Sequence, residues 1–196
     1  MMQRQSPLAA YRLVLLGVVV LLASLTFLFL RGPDAWQRRY YQLEHAGKIA
    51  DSATRHRVNP YLVASVIEAE SDWEESARSA AGAQGLMQVM PSTAEELARR
   101  GRVDGKAYPP ERLSDPAVNI EYGTAYLRYL VERYHEIETA LAAYNAGLAN
   151  ADLWSARGGD IRRQIAFPET KHFVLKVSRG KDRYEALYPD AFEGRP

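Results

Sequence analysis

VIEAESDW, Val66 to Trp73, carries two glutamates two positions apart, Glu68 and Glu70. Residues at that spacing do not share a helix face. The stretch closes the run Pro60 to Ser71, PYLVASVIEAES, which opens with Asn59 as an N-cap and Pro60 at the first helical position. At about 100° per residue, with Val63 at zero, Val66 falls near about −60°, Ile67 near about +40° and Glu70 near about −20°. Glu70 therefore sits inside the apolar stripe, and Glu68, near about +140°, is expected on the opposite, solvated face. A carboxylate on an apolar stripe must be paired, hydrogen-bonded or protonated. Its position alone leaves two readings open: a buried structural glutamate paired with an arginine, or a functional acid.

Helix signals continue on both sides of this segment. Ser92-Thr-Ala-Glu95 reads as a capping box, Asp115-Pro116 repeats the cap-plus-proline start, Gly147 falls where a helix from about Glu138 would end, and Pro168-Glu169-Thr170 opens another helix. Gly101 to Arg112 reads as a loop broken by Gly105 and Pro109-Pro110. Between Ala117 and Tyr134, one helical face holds Ile120, Gly123, Leu127, Leu130, Val131 and Tyr134, with Gly123 permitting close packing. No run alternates as a strand would. The expected fold is all-α, with about six or seven helices after the N-terminal segment.

Composition narrows the function. The 196 residues include 47% hydrophobic and 25% charged side chains, as a compact domain with an appendage would. A net charge of +1 gives no electrostatic argument for nucleic acid. The absence of cysteine excludes disulfides, thiol chemistry and a lipidated N-terminal cysteine. His45, His56, His135 and His172 are not paired at a metal-ligand spacing; His135-Glu136 begins like a zinc motif, but Thr139 stands where the second histidine belongs. A surface or packing role, and no metal site, is expected for all four.

Leu13 to Leu30, LVLLGVVVLLASLTFLFL, is about 18 residues without a charge, long enough to cross a bilayer. A cleavable signal peptide is the rival reading, but no small-x-small site follows the run. The expected organisation is a cytoplasmic N-terminus at 1–12, a transmembrane signal anchor at 13–30, a juxtamembrane linker or helix at 31–48 and the domain at 49–196. Arg4 and Arg12 before the span against Arg31, Arg38 and Arg39 after it leave the charge rule undecided on orientation.

Three stretches in order carry a resemblance: Glu70-Ser71, then GAQGLMQVMP from Gly82 to Pro91, then AYNAG from Ala143 to Gly147. With Phe167 to Val174, FPETKHFV, they make residues 49 to 189 similar to the catalytic domain of soluble-lytic-transglycosylase-like enzymes, the lysozyme-like SLT family. That resemblance implies a sugar groove acting on peptidoglycan glycan strands, cleaving between N-acetylmuramic acid and N-acetylglucosamine and leaving a 1,6-anhydro ring, without cofactor. It implies that Glu70 is the acid/base, followed by Ser71. It places Ser79, Gln88 and Met90 on substrate-contacting positions, gives Tyr144 a hydroxyl that reaches the catalytic carboxyl, sets Asn145 beside it, and puts Glu169 at the opening of the last helix. Phe173 departs from the expected tyrosine.

The residue types suit that chemistry. Glycoside hydrolysis uses two carboxyls. One suffices when the sugar's own 6-hydroxyl closes on C1, and Asp72, Glu74 and Glu75 lie in a polar run expected to be solvated. Burial among Val63, Val66 and Ile67 would raise the pKa of Glu70, as a general acid needs. Gly82 and Gly85 would let backbone approach a ligand, and Gln88 would offer it both a donor and an acceptor. Met87 reads as core, and Tyr126, Tyr129 and Tyr134 as packing or surface. A substrate on the far side of the membrane places the domain there. A hydrolytic muramidase with a second acid, a non-catalytic peptidoglycan-binding module and a membrane-tethered helical partner protein are the alternatives.

Overall fold

The computed structural model describes residues 7–31 and 34–193; the expectation for Arg4 lies outside them. It divides into two units, 1–42 and 43–196. The first holds α1 (Pro7–Arg31) and α2 (Asp34–Tyr40). Within α1, Tyr11–Phe29 has a mean hydropathy of 2.5 and none of it is buried, a length and composition able to cross a bilayer. The rings of Phe29 and Tyr40 meet edge to face at 5.7 Å.

The second unit is built from α3 (Ala46–His56), α4 (Pro60–Ser71), α5 (Pro91–Arg99), α6 (Pro116–Tyr134), α7 (Ile137–Ala146), α8 (Leu148–Ser155), α9 (Ile161–Gln164) and α10 (Pro168–Leu187), with a 3-10 turn at Pro110–Arg112. The fold is all-α, and among the described residues only isolated β-bridges, Arg78 to Gln84 and Gln84 to Val89, interrupt it. Two caps act as read: Asn59 Oδ1 accepts from the Tyr61 and Leu62 amides, and Asp115 Oδ1 from that of Ala117. The capping box at Ser92 does not form. Pro91 takes the first helical position with Met90 as an extended N-cap, so Ser92 lies inside the helix. The short α8 and α9 raise the helix count above the expected six or seven; neither is long enough to show a period.

The middle of α4 is the centre of the core: Val63, Ala64, Val66 and Ile67 are fully buried. At about 1.5–3 kcal/mol for each large aliphatic side chain, this stripe is a principal source of the unit's stability. α10 covers α4 from one side. Ser65 Oγ donates to the Val177 carbonyl at 2.8 Å, and a Cβ on Gly180 would overlap the Ser65 side chain, so only glycine allows the approach. That contact corrects the reading of Glu68. Its face is half-buried under α10 rather than solvated, and burial raises its carboxyl, partly offset by the Tyr184 hydroxyl and Lys176.

A buried glutamate paired with arginine does exist, on α6. Glu121 lies 2.7 Å from Arg55 Nη2 and 2.8 Å from His56 Nε2, joining α6 to α3. Burial alone would raise this carboxyl; the hydrogen bonds from His56 and Arg55 outweigh it and hold the group at about 2.

Candidate active site

The segment from Ala77 to Met90, which carries Ser79, Gln88 and Met90, folds back on itself. The amides of Gln84 and Val89 each donate to the other's carbonyl at 3.0 Å, and the Gly85 amide donates to the Ala77 carbonyl at 2.8 Å. Leu86 and Met87 at its tip are fully buried, Met87 as read. A single side chain from α6 pins the tip. Asn119 Oδ1 accepts from the Met87 amide at 2.7 Å, while its Nδ2 donates to the carbonyls of Gln84 at 2.7 Å and Leu113 at 2.8 Å. Asn119 escapes the sequence reading; its signal is a polar residue beside the apolar face of that helix.

One of the two glycines differs from its expected use. Gly85, at φ +72°, is needed because a Cβ there would overlap Asn119; the close approach is to the protein's own interior, not to a ligand. Gly82 has φ +93° and open space around it, and serves the turn. Gly123 permits close packing as read, with the Met87 side chain as the neighbour its missing Cβ accommodates.

Glu70 occupies the last turn of α4, with the fully buried Val63, Val66 and Ile67 on its stripe. Burial pushes its carboxyl up to about 7, with Lys176 as the opposing, lowering charge. Tyr144, on α7, faces it closely enough for the carboxylate to raise the phenol further, beyond the larger effect of burial. The Tyr144 hydroxyl, however, donates to the Met87 carbonyl at 2.8 Å, so its proton is directed to the loop and not to the Glu70 carboxyl. Tyr144 also stacks on Phe173 at 6.4 Å with 10° between rings, and packs on Tyr126 at 5.4 Å. The aromatic layer therefore survives the missing hydroxyl at Phe173.

The other predicted residues make local contacts of their own. Ser71 Oγ donates back to the Ile67 carbonyl at 3.2 Å. Ser79 is exposed, and its Oγ accepts from the Ala83 amide at 3.0 Å. Gln88, held at φ 47°, uses both amide hydrogens on the carbonyls of Gly85 at 2.8 Å and Ala77 at 3.1 Å. Its side chain can offer a ligand only the acceptor oxygen, half of the expected role. Met90 is 36% exposed at the start of α5. Asn145 is exposed and its Oδ1 accepts from Thr170 Oγ1 at 2.8 Å, linking α7 to α10 one residue from the exposed Glu169. Asp72, Glu74 and Glu75 are exposed, as expected. Tyr126 and Tyr129, stacked at 6.3 Å, pack on the core and line a surface cleft of about 230 Å³ with Thr93, Leu97 and Arg102, as the packing-or-surface reading expects.

The transglycosylase SLT domain model matches residues 48–167. The chain belongs to the SLT domain family. The soluble lytic murein transglycosylase of Escherichia coli K12 is 34% identical over 126 residues, 61% of this chain and 19% of that protein. The transglycosylase of Enterobacteria phage PRD1 is 38% identical over 109 residues, 56% of this chain and 37% of that one. Among solved structures, an inactive glutamine-for-glutamate mutant of lytic transglycosylase Slt from Pseudomonas aeruginosa superposes with a TM-score of 0.70 at 27% identity, over 76% of this chain and 25% of the other. The 70-kDa soluble lytic transglycosylase in complex with bulgecin A gives 0.71 at 29% identity, over 78% and 26%. The chain thus spans about a quarter or less of the soluble enzymes it matches. The SLT match runs from α3 to Phe167 and stops before α10, the helix that supplies Lys176 and Phe173.

Proposed function

We propose that this SLT domain is a peptidoglycan lytic transglycosylase with Glu70 as its single acid/base. The observation that carries the reading is a glutamate on an apolar helix stripe, raised by burial to about 7, in a domain whose curated relatives bear the name murein transglycosylase. At neutral pH about half of such carboxyls hold a proton. Protonated Glu70 gives its proton to the glycosidic oxygen as the bond to C1 of N-acetylmuramic acid breaks. The carboxylate then takes the proton of the sugar's 6-hydroxyl as that oxygen bonds to C1, which closes the 1,6-anhydro ring and restores the acid. No water is consumed, so no second carboxyl is required. Ser71, Ser79, Gln88, Met90, Asn145 and Glu169 are assigned to the glycan strand, Gln88 through its acceptor oxygen. Tyr144 is assigned to the site through the Met87 backbone it holds.

α1 is assigned as an uncleaved anchor in the cytoplasmic membrane, with residues 1–12 cytoplasmic, 31–48 as the juxtamembrane segment and the domain on the extracytoplasmic side, where peptidoglycan lies. The length and apolarity of Tyr11–Phe29 support this. The test is product mass. Purified peptidoglycan digested by the protein should release muropeptides lighter by one water than hydrolytic products, and Glu70→Gln should release none. Reducing-end products would replace the reading with a muramidase.

A further inference from the structure

Lys176 and Glu70 belong to different helices, and the packing of α10 on α4 fixes their relation. Ser65 bonds to Val177, Gly180 seats against Ser65, and Lys176 Nζ donates to the Glu68 carbonyl at 3.0 Å. The same carbonyl accepts the Asp72 amide that closes α4, at 3.2 Å. The ammonium is therefore held at the C-terminal end of α4, where unpaired carbonyls make the helix end negative. Glu70 lies in that last turn. Both its apolar stripe and the helix end oppose a negative charge on its carboxyl.

The charged side chain whose field acts on Glu70 is Lys176, from α10; from α7 it meets the neutral phenol of Tyr144. α3 commits Arg55 and His56 to Glu121. Asp72, Arg183 and Tyr184 act on Glu68, together with Lys176.

We propose that Lys176 is the positioning residue for proton exchange at Glu70. Its fixed ammonium stabilises the carboxylate left when the proton moves to the glycosidic oxygen, and sets how readily that carboxylate takes the next proton from the 6-hydroxyl. Lys176 takes no part in the transfers themselves. The proposal rests on the reading of Glu70 as the acid/base.

The test uses the full chain in detergent micelles, with Lys176→Met and Lys176→Arg beside wild type. Two quantities are read: the pH profile of muropeptide release, and the titration midpoint of the Glu70 side chain by ¹³C NMR, its resonance identified by its loss in Glu70→Gln. Removing one nearby opposite charge should raise the midpoint by about one pH unit and carry the alkaline limb of the profile with it, while Lys176→Arg leaves both in place. A folded Lys176→Met protein with the wild-type midpoint and limb would overturn the proposal while Glu70→Gln remains inactive. Should Lys176→Met fail to fold, Lys176→Gln keeps a donor for the Glu68 carbonyl without the charge and is judged by the same two readouts. An active Glu70→Gln protein would overturn the acid/base reading itself, and this proposal with it.

Discussion

Replacing Glu70 with glutamine keeps the side chain's shape and deletes its titration, so its effect on stability should depend on pH. The folded carboxyl titrates at about 7 and the unfolded one near 4.5. A raised carboxyl binds its proton more tightly when folded. The native state is therefore favoured below the unfolded value, and stability falls as pH rises from about 4.5 to about 7, then levels off. Integrated across that window, the loss is about 3 kcal/mol. Glu70→Gln removes the loss. It should be close to neutral at pH 4.5 and more stable than wild type by about 3 kcal/mol at pH 8. Urea unfolding of residues 43–196, followed by far-ultraviolet circular dichroism at both pH values, measures the difference. A variant whose change in stability is the same at both pH values would refute the account of a desolvated carboxyl. A loss of stability confined to pH 8 would reverse its sign.

Asn119→Ala should destabilise the unit by about 3–5 kcal/mol, because the Met87 amide and the Gln84 and Leu113 carbonyls lose their buried partner, and thermal unfolding checks it. Gly85→Ala should cost about 3 kcal/mol through overlap with Asn119 and a left-handed backbone, whereas Gly82→Ala, with open space, should cost only about 1–2 kcal/mol; parallel melts compare them. Glu121→Gln should destabilise by about 3–5 kcal/mol at neutral pH, and the wild-type protein should lose the Glu121 contribution as pH falls from about 4.5 towards about 2, followed by acid unfolding.

How much of the site is legible depends on how far each contact reaches along the chain. Glu70 can be found from the sequence because its burial follows from neighbours on its own helix, Val63, Val66 and Ile67, and the helical period alone aligns them. Glu68 misleads for the opposite reason. What covers it arrives with α10, and the Lys176 contact to its carbonyl spans 108 residues. Local period cannot show that a second face of α4 is occupied. Pro91 and Ser92 compete for one helix start, and the fixed φ of proline prevails over a capping side chain. Gln88 and Gly85 sit in a motif that invites a ligand-facing reading, yet most of their bonding capacity is internal. Side-chain type gives what a group can donate or accept, and only the folded loop says to whom.

The pinning of residues 77–90 by Asn119 has a consequence for transplantation. The segment is contiguous in sequence and looks like a cassette that could be exchanged between related domains. It is not self-sufficient. Its tip is written partly in α6, by the amide of Asn119 and by the absent side chain of Gly123 that makes room for Met87. A graft of the segment into another scaffold would need those two positions carried with it, and Tyr144 of α7, which holds the Met87 carbonyl, all more than thirty residues downstream of the loop tip. The unit of inheritance for this segment is a loop together with the helix positions that hold its tip.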